Sequence, residues 1–217
     1  MVKLPKNFGL IAPFATWMVL MTVLPSTTWA YAVRTVATAV MLAVTGRWQG
    51  LETLDGKRET RLPSQVSSPL KSFASRLKSS LLPGVAVGLA VFAIWILPEQ
   101  FDIPFYRRFC IIGEGGTQAV AEASALMIAF RLVGSAFVIS VAEELFFRKW
   151  LIGFAGFWPM VALFAVEHDR WLVAAICGIA YGLLYLRRGL CAAIVAHSTT
   201  NLVLGLWVLG TGQWQFW

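Results

Sequence analysis

Two adjacent carboxylates, Glu143 and Glu144, close an apolar run over residues 123–142 in which Arg131 is the one charged side chain. A charge near the centre of a bilayer costs about 2.5–3.5 kcal/mol on insertion scales, so ionisable groups in such a run are read first as functional. Arg148 follows Glu144 at i,i+4, with the acid N-terminal, the better order for an ion pair on a helix. That pairing holds Glu144 ionised and leaves Glu143, about 100° further round the helix, free to face a cavity. Two more polar groups stand in apolar surroundings, Phe164-x-x-x-His168 and His197-x-x-x-Asn201. The second pair is again i,i+4 and projects from one helix face. A carboxylate and an imidazole can take a proton from water, and an imidazole beside an amide can donate hydrogen bonds to a developing oxyanion. The chemistry these types suit is hydrolysis, with Glu143 and His168 activating water, His197 and Asn201 on the oxyanion, and Glu144 with Arg148 in support.

Other readings use the same residues. Glu143, His168 and His197 also form a His₂Glu ligand set for catalytic zinc, although no His-Glu-x-x-His motif occurs. No cofactor is the expectation, and zinc is the alternative the sequence leaves open. Glu144 with Arg148 could be a structural ion pair, and each histidine a satisfied interhelical hydrogen bond. Glu167 and Asp169 flank His168, placed to orient it or to cap helix ends. Arg34 and Arg131 read as structural partners of acids or as snorkelling side chains, and Phe164 alone reads as packing. A proton-coupled carrier is a further reading, weakened by the lack of any internal repeat.

The polar groups must share a depth if they are to act together. Glu143 lies ten residues before Gly153, His168 nine after Pro159, and His197 nine after Arg188. At 1.5 Å per residue each is about 14 Å from a helix end, near half of a ~30 Å hydrocarbon core. Three separate helices therefore place polar groups in one layer.

The elements that carry them are membrane helices. Hydrophobic residues make up 58% of the 217, charged residues only 13%, and mean hydropathy is +0.71; soluble domains carry about 25% charged residues. The expected fold class is all-α, a polytopic membrane bundle of about seven helices in a single domain, over 8–24, 29–45, 81–97, 121–153, 160–166, 171–186 and 189–209. The first helix is read as retained and not as a cleaved signal. Gly84 with Gly88, and Gly178 with Gly182, have the small-xxx-small spacing of close helix packing. Residues 98–117 read as a loop. Residues 47–80 form a basic loop holding Arg47, Lys57, Arg58, Arg61, Lys71, Arg76 and Lys78, with an amphipathic surface helix over 70–77. The net charge of +7 is thus a membrane-orientation signal and not a nucleic-acid footprint, and it puts the N-terminus and this loop in the cytoplasm, with Arg148-Lys149 and Arg187-Arg188 on the same side. Cys110, Cys177 and Cys191 have no metal or disulfide spacing.

Taken together, Glu143-Glu144-x-x-x-Arg148, Phe164-x-x-x-His168 and His197-x-x-x-Asn201 resemble the CPBP family of intramembrane proteases, which includes the type II CAAX prenyl endopeptidases. The resemblance covers residues 120–210, the catalytic-motif core. It implies an all-helical intramembrane endopeptidase in which Glu143 with His168 activates water, His197 with Asn201 holds the oxyanion, and Glu144 and Arg148 support the site. It implies a membrane protein or peptide as substrate, the lipid bilayer as surroundings and a bacterial inner membrane as location. The stretches Val166-Glu167-His168-Asp169-Arg170-Trp171 and Thr211-Gly212-Gln213-Trp214-Gln215-Phe216-Trp217 resemble CAAX-protease-related proteins of exosortase systems, in which prenylated substrates are not expected. A non-catalytic immunity or sorting partner, keeping the polar layer for stability, is the alternative function.

Overall fold

The computed structural model describes residue 5 and residues 7–49, 69–112 and 123–216. Among them there is no strand, and eight helices follow in order: α1 Phe8–Val23, α2 Thr28–Gln49, α3 Pro69–Gln100, α4 Pro104–Phe109, α5 Ala125–Ala155, α6 Phe157–Val166, α7 Trp171–Arg188 and α8 Leu190–Thr211. A single 3₁₀ turn, Trp214–Phe216, follows α8. Parts of α2, α3, α5, α7 and α8 are long and apolar enough to cross a membrane, while α1 and α6 are shorter apolar helices.

Two differences from the sequence reading have local causes. The expected loop over 98–117 contains α4, in which Pro104 occupies the first helical turn, where its missing N–H is no loss. The surface helix over 70–77 and the membrane helix over 81–97 are one element, α3, because Pro83 and its neighbours continue the helix without a break. The side chains of 69–76 and the basic stretch 47–68 with its expected surface character lie outside the described residues, apart from the last helical turn of α2.

Small residues set the packing. A Cβ on Gly84 would stand 2.6 Å from Val195, and one on Gly88 2.5 Å from the carbonyl of Ala196, so α3 and α8 approach backbone to backbone. Thr200 Oγ1 crosses that contact to the carbonyl of Gly88 at 2.8 Å. Gly178 and Gly182 of α7 instead make room for the rings of Phe164 and Phe157 of α6. Helix α1 lays Phe14 on Phe146 and Phe147 of α5, with ring centroids at 4.6 and 5.2 Å. Arg34 of α2 donates to the carbonyls of Leu20, Leu24 and Pro25, closing the C-terminal end of α1, whose last carbonyls have no helical partner.

The bundle has two distinct ends. At one, tight turns reverse the chain at Gly156 and Gly189, whose φ of 95° and 86° suit glycine alone. At the other, Glu99 at the end of α3 pairs with Arg170 before α7, and Gln100 bonds Gln213 beyond α8 at 2.6 Å. Trp171 and Ile112 tie α4 to the α6–α7 turn through the carbonyls of Phe109 and Asp169.

Candidate active site

Helix α5 carries the adjacent glutamates, and it is not a regular α-helix. Gly134–Ile139 and Glu144–Leu151 are π-helical, with Ser140–Glu143 α-helical between them. Such widened turns recur at functional sites. Here the first one presents the carbonyl of Ser135 to α8. Ser140 Oγ donates to it at 2.9 Å, and Asn201 Nδ2 donates to the same oxygen at 2.9 Å and to Ser140 Oγ at 3.1 Å. A carbonyl only accepts, so the amide nitrogen of Asn201 must face it. The three distances form a triangle with an angle of about 60° at Nδ2, half of that between the two amide hydrogens, so both bonds are bent.

The i,i+4 pair forms at the buried core of the site. Arg148 Nη1 lies 3.2 Å from Glu144 Oε1, and both side chains are 0% exposed. Aromatic rings enclose the guanidinium: its carbon is 4.2 Å from the centroid of Phe164, 5.3 Å from Tyr181 and 5.8 Å from Phe147. Arg148 is therefore interior and does not belong to a basic membrane face as the sequence count had it. The same Glu144 oxygen accepts from His197 Nδ1 at 2.8 Å. Tyr181 lies on the His197 ring, with centroids 5.0 Å apart and planes 20° apart, and its hydroxyl donates to Thr200 Oγ1 at 2.7 Å. Glu144 thus fixes the imidazole as well as the arginine, and leaves Nε2 as the ring atom directed to Glu143, whose Oε2 is 3.8 Å away. That oxygen of Glu143 is buried and makes no hydrogen bond among the described residues.

His168 enters from the turn after α6. Its Nδ1 lies 2.8 Å from the carbonyl of Phe164, so Nδ1 carries the proton and Nε2 of a neutral ring is an acceptor. Neither Glu167 nor Asp169 orients it; the motif's own phenylalanine does, through its backbone, while its ring covers Arg148. Trp95 of α3 stands 5.7 Å from the His168 ring. Arg131 lies over the Tyr31 ring at 4.7 Å.

These groups meet at one cavity of about 210 Å³, lined by Glu143, His168, His197 and Asn201 among others. Glu144 and Arg148 lie behind it, Glu144 bonded to His197 and Arg148 to Glu144. Ser135, Ser140, Tyr181 and Thr200 were not named from the sequence. A buried tyrosine in a membrane helix needs a polar partner, which is the signal that could have drawn attention to Tyr181. Ser140, at i−3 from Glu143 on the same face, offered a similar one. As a zinc centre the set does not fit: among the described residues no three histidine, cysteine, aspartate or glutamate side chains converge closely enough to share an ion.

Residues 125–203 match the model of the type II CAAX prenyl endopeptidase Rce1-like family. The matched segment is 79 of the 217 residues, α5 through most of α8, and contains every residue of the three motifs. No curated protein and no solved structure matches the chain. With five helices able to cross a membrane and a core similar to an intramembrane protease family, the chain is an integral membrane protein.

Proposed function

We propose that this chain is an intramembrane endopeptidase of the CAAX (CPBP) type that hydrolyses a peptide bond with a glutamate-activated water. Glu143 takes a proton from water held between its carboxylate and His168 Nε2, and the hydroxide adds to the peptide carbonyl. His197 bonds Glu144 through Nδ1, and its Nε2–H meets the oxyanion together with the amide of Asn201. Collapse of the tetrahedral adduct breaks the C–N bond, and the proton on Glu143 passes to the leaving amine. Arg148 and Tyr181 hold Glu144 and His197 in place. The observation that carries this reading is that Glu143, His168, His197 and Asn201, from two helices and a turn, line one cavity inside apolar surroundings.

The finer reading follows from the two stretches similar to exosortase-associated proteins: a membrane-anchored substrate without a prenyl group, in a bacterial inner membrane, with the N-terminus cytoplasmic by the positive-inside rule. The test is to incubate the purified chain in nanodiscs, in ¹⁸O water, with peptide libraries offered farnesylated and unmodified. A hydrolase leaves one ¹⁸O in each new carboxyl group, and unmodified peptides should be cut. Intact libraries would favour the sorting-partner alternative, and cleavage of farnesylated peptides alone would reject the finer reading.

A further inference from the structure

The cavity has a floor and a rim, and they lie toward opposite ends of the bundle. On the floor Phe164, Cys177, Tyr181 and His197 are 1–4% exposed. The partly exposed lining residues are Tyr31, Trp95, Arg131, Ser135, His168 and Asn201. Tyr31 is in the first turn of α2, Arg131 in the second turn of α5, Trp95 near the end of α3, and His168 in the α6–α7 turn. These places share the end where Glu99 meets Arg170 and Gln100 meets Gln213. At the opposite end, beyond Arg148, the Gly156 and Gly189 turns close the bundle.

Basic residues are divided unequally between those ends. Among the described residues, Lys78, Lys149, Arg187 and Arg188 lie on the end away from the rim, with Arg47 at the end of α2 and Lys71 and Arg76 at the start of α3; the sequence adds Lys57, Arg58 and Arg61 between α2 and α3 and Lys3 and Lys6 before α1. Among the described residues the rim end has five, Arg34, Arg107, Arg108, Arg131 and Arg170, of which Arg34 donates to the carbonyls that end α1, Arg107 pairs with Asp102 at 3.0 Å and Arg170 with Glu99. Arg148 is within the bundle. Lysine and arginine in short loops mark the cytoplasmic side.

We infer that the cavity opens to the side of the membrane away from the cytoplasm, and that its substrate is an exported polypeptide segment. This rests on the proposed orientation and on the proposed peptidase site. It places the reaction after translocation: the step that supplies the substrate is transfer of a chain across the membrane. A cytoplasmic tail would have to pass the sealed floor to reach Glu143.

Sidedness can be read without any substrate. Cys110, Cys177 and Cys191 are changed to alanine, and Ser135→Cys on the rim is compared with Arg188→Cys at the far end. A small charged methanethiosulfonate is added to spheroplasts or to inverted membrane vesicles. The expected result is that the cysteine at 135 reacts only in spheroplasts and the one at 188 only in inverted vesicles. If Ser135→Cys does not accumulate, Trp95→Cys carries the same expectation. Reaction of the rim cysteine only in inverted vesicles, or on neither side, overturns the inference; the behaviour of the cysteine at 188 then shows whether orientation or the opening was misjudged. Loss of the peptidase reading would appear as missing cleavage in detergent, where both faces are accessible, and would leave the labelling pattern unchanged.

Discussion

Replacing Arg148 by methionine removes a charge that the interior has been arranged around. At 3.2 Å and an effective dielectric of 20, the Arg148–Glu144 attraction is about 5 kcal/mol, and the aromatic faces of Phe164, Tyr181 and Phe147 add up to about 2 kcal/mol for a desolvated guanidinium. These gross terms offset the desolvation of two ions, so the measurable loss is the cost of a carboxylate left alone in a site with no exposure, about 3–5 kcal/mol. Methionine fills part of the same volume and suits aromatic neighbours, which limits the cavity contribution. Glu144→Gln added to Arg148→Met removes the stranded charge while keeping an acceptor for His197 Nδ1. The double variant should therefore regain stability, with a coupling energy of about 1–3 kcal/mol. Unfolding in mixed micelles, followed by tryptophan fluorescence, measures all four corners of the cycle. Additivity within about 0.5 kcal/mol would refute the argument, since independent sites add to that tolerance.

Other expectations follow from single contacts. Asn201→Ala removes the amide donor and should lower turnover about 10²–10³-fold, read from steady-state cleavage of a reporter peptide. Tyr181→Phe keeps the ring on His197 but leaves Thr200 Oγ1 without its donor, and should cost about 1 kcal/mol of stability with little change in turnover. Gly88→Ala places a methyl group 2.5 Å from the carbonyl of Ala196 and should destabilise by about 1–3 kcal/mol, whereas Gly153→Ala, with no atom within 4 Å of the new carbon, should be neutral or stabilising by up to about 1 kcal/mol. The same micelle unfolding assay separates the two glycines.

That Glu143, His168 and His197 could meet was readable because helical rise converts residue counts into distance, although His168, expected on a third helix, stands in the turn after α6. Glu143, His168 and His197 were each placed by counting from a helix end, and all three line one cavity. The glycine pairs were readable because only small residues allow close backbone approach, and spacing alone shows them. Rotation of one helix against another leaves no such trace. The contact of Glu144 with His197 depends on how α8 is turned toward α5, and counting along either helix does not fix it. The two π-helical stretches of α5 were also hidden, because an apolar run looks the same with 3.6 or 4.4 residues in a turn; they decide where the carbonyl of Ser135 points and hence what Asn201 bonds. Phe164 looked like packing, and packing it is, but on the Arg148 guanidinium. Helix α4 was missed because six residues carry too little periodicity to register.

The central claim is that Glu143 is the base that activates water. Glu143→Gln keeps the shape of the side chain and removes its ability to accept a proton. The direct measurement is cleavage by the purified variant beside the unaltered chain, under the same lipid and peptide conditions, with folded amount matched by unfolding midpoint. The account predicts equal folding and a loss of turnover of about 10²–10⁴-fold, the range of a general base. Full turnover by Glu143→Gln would contradict it.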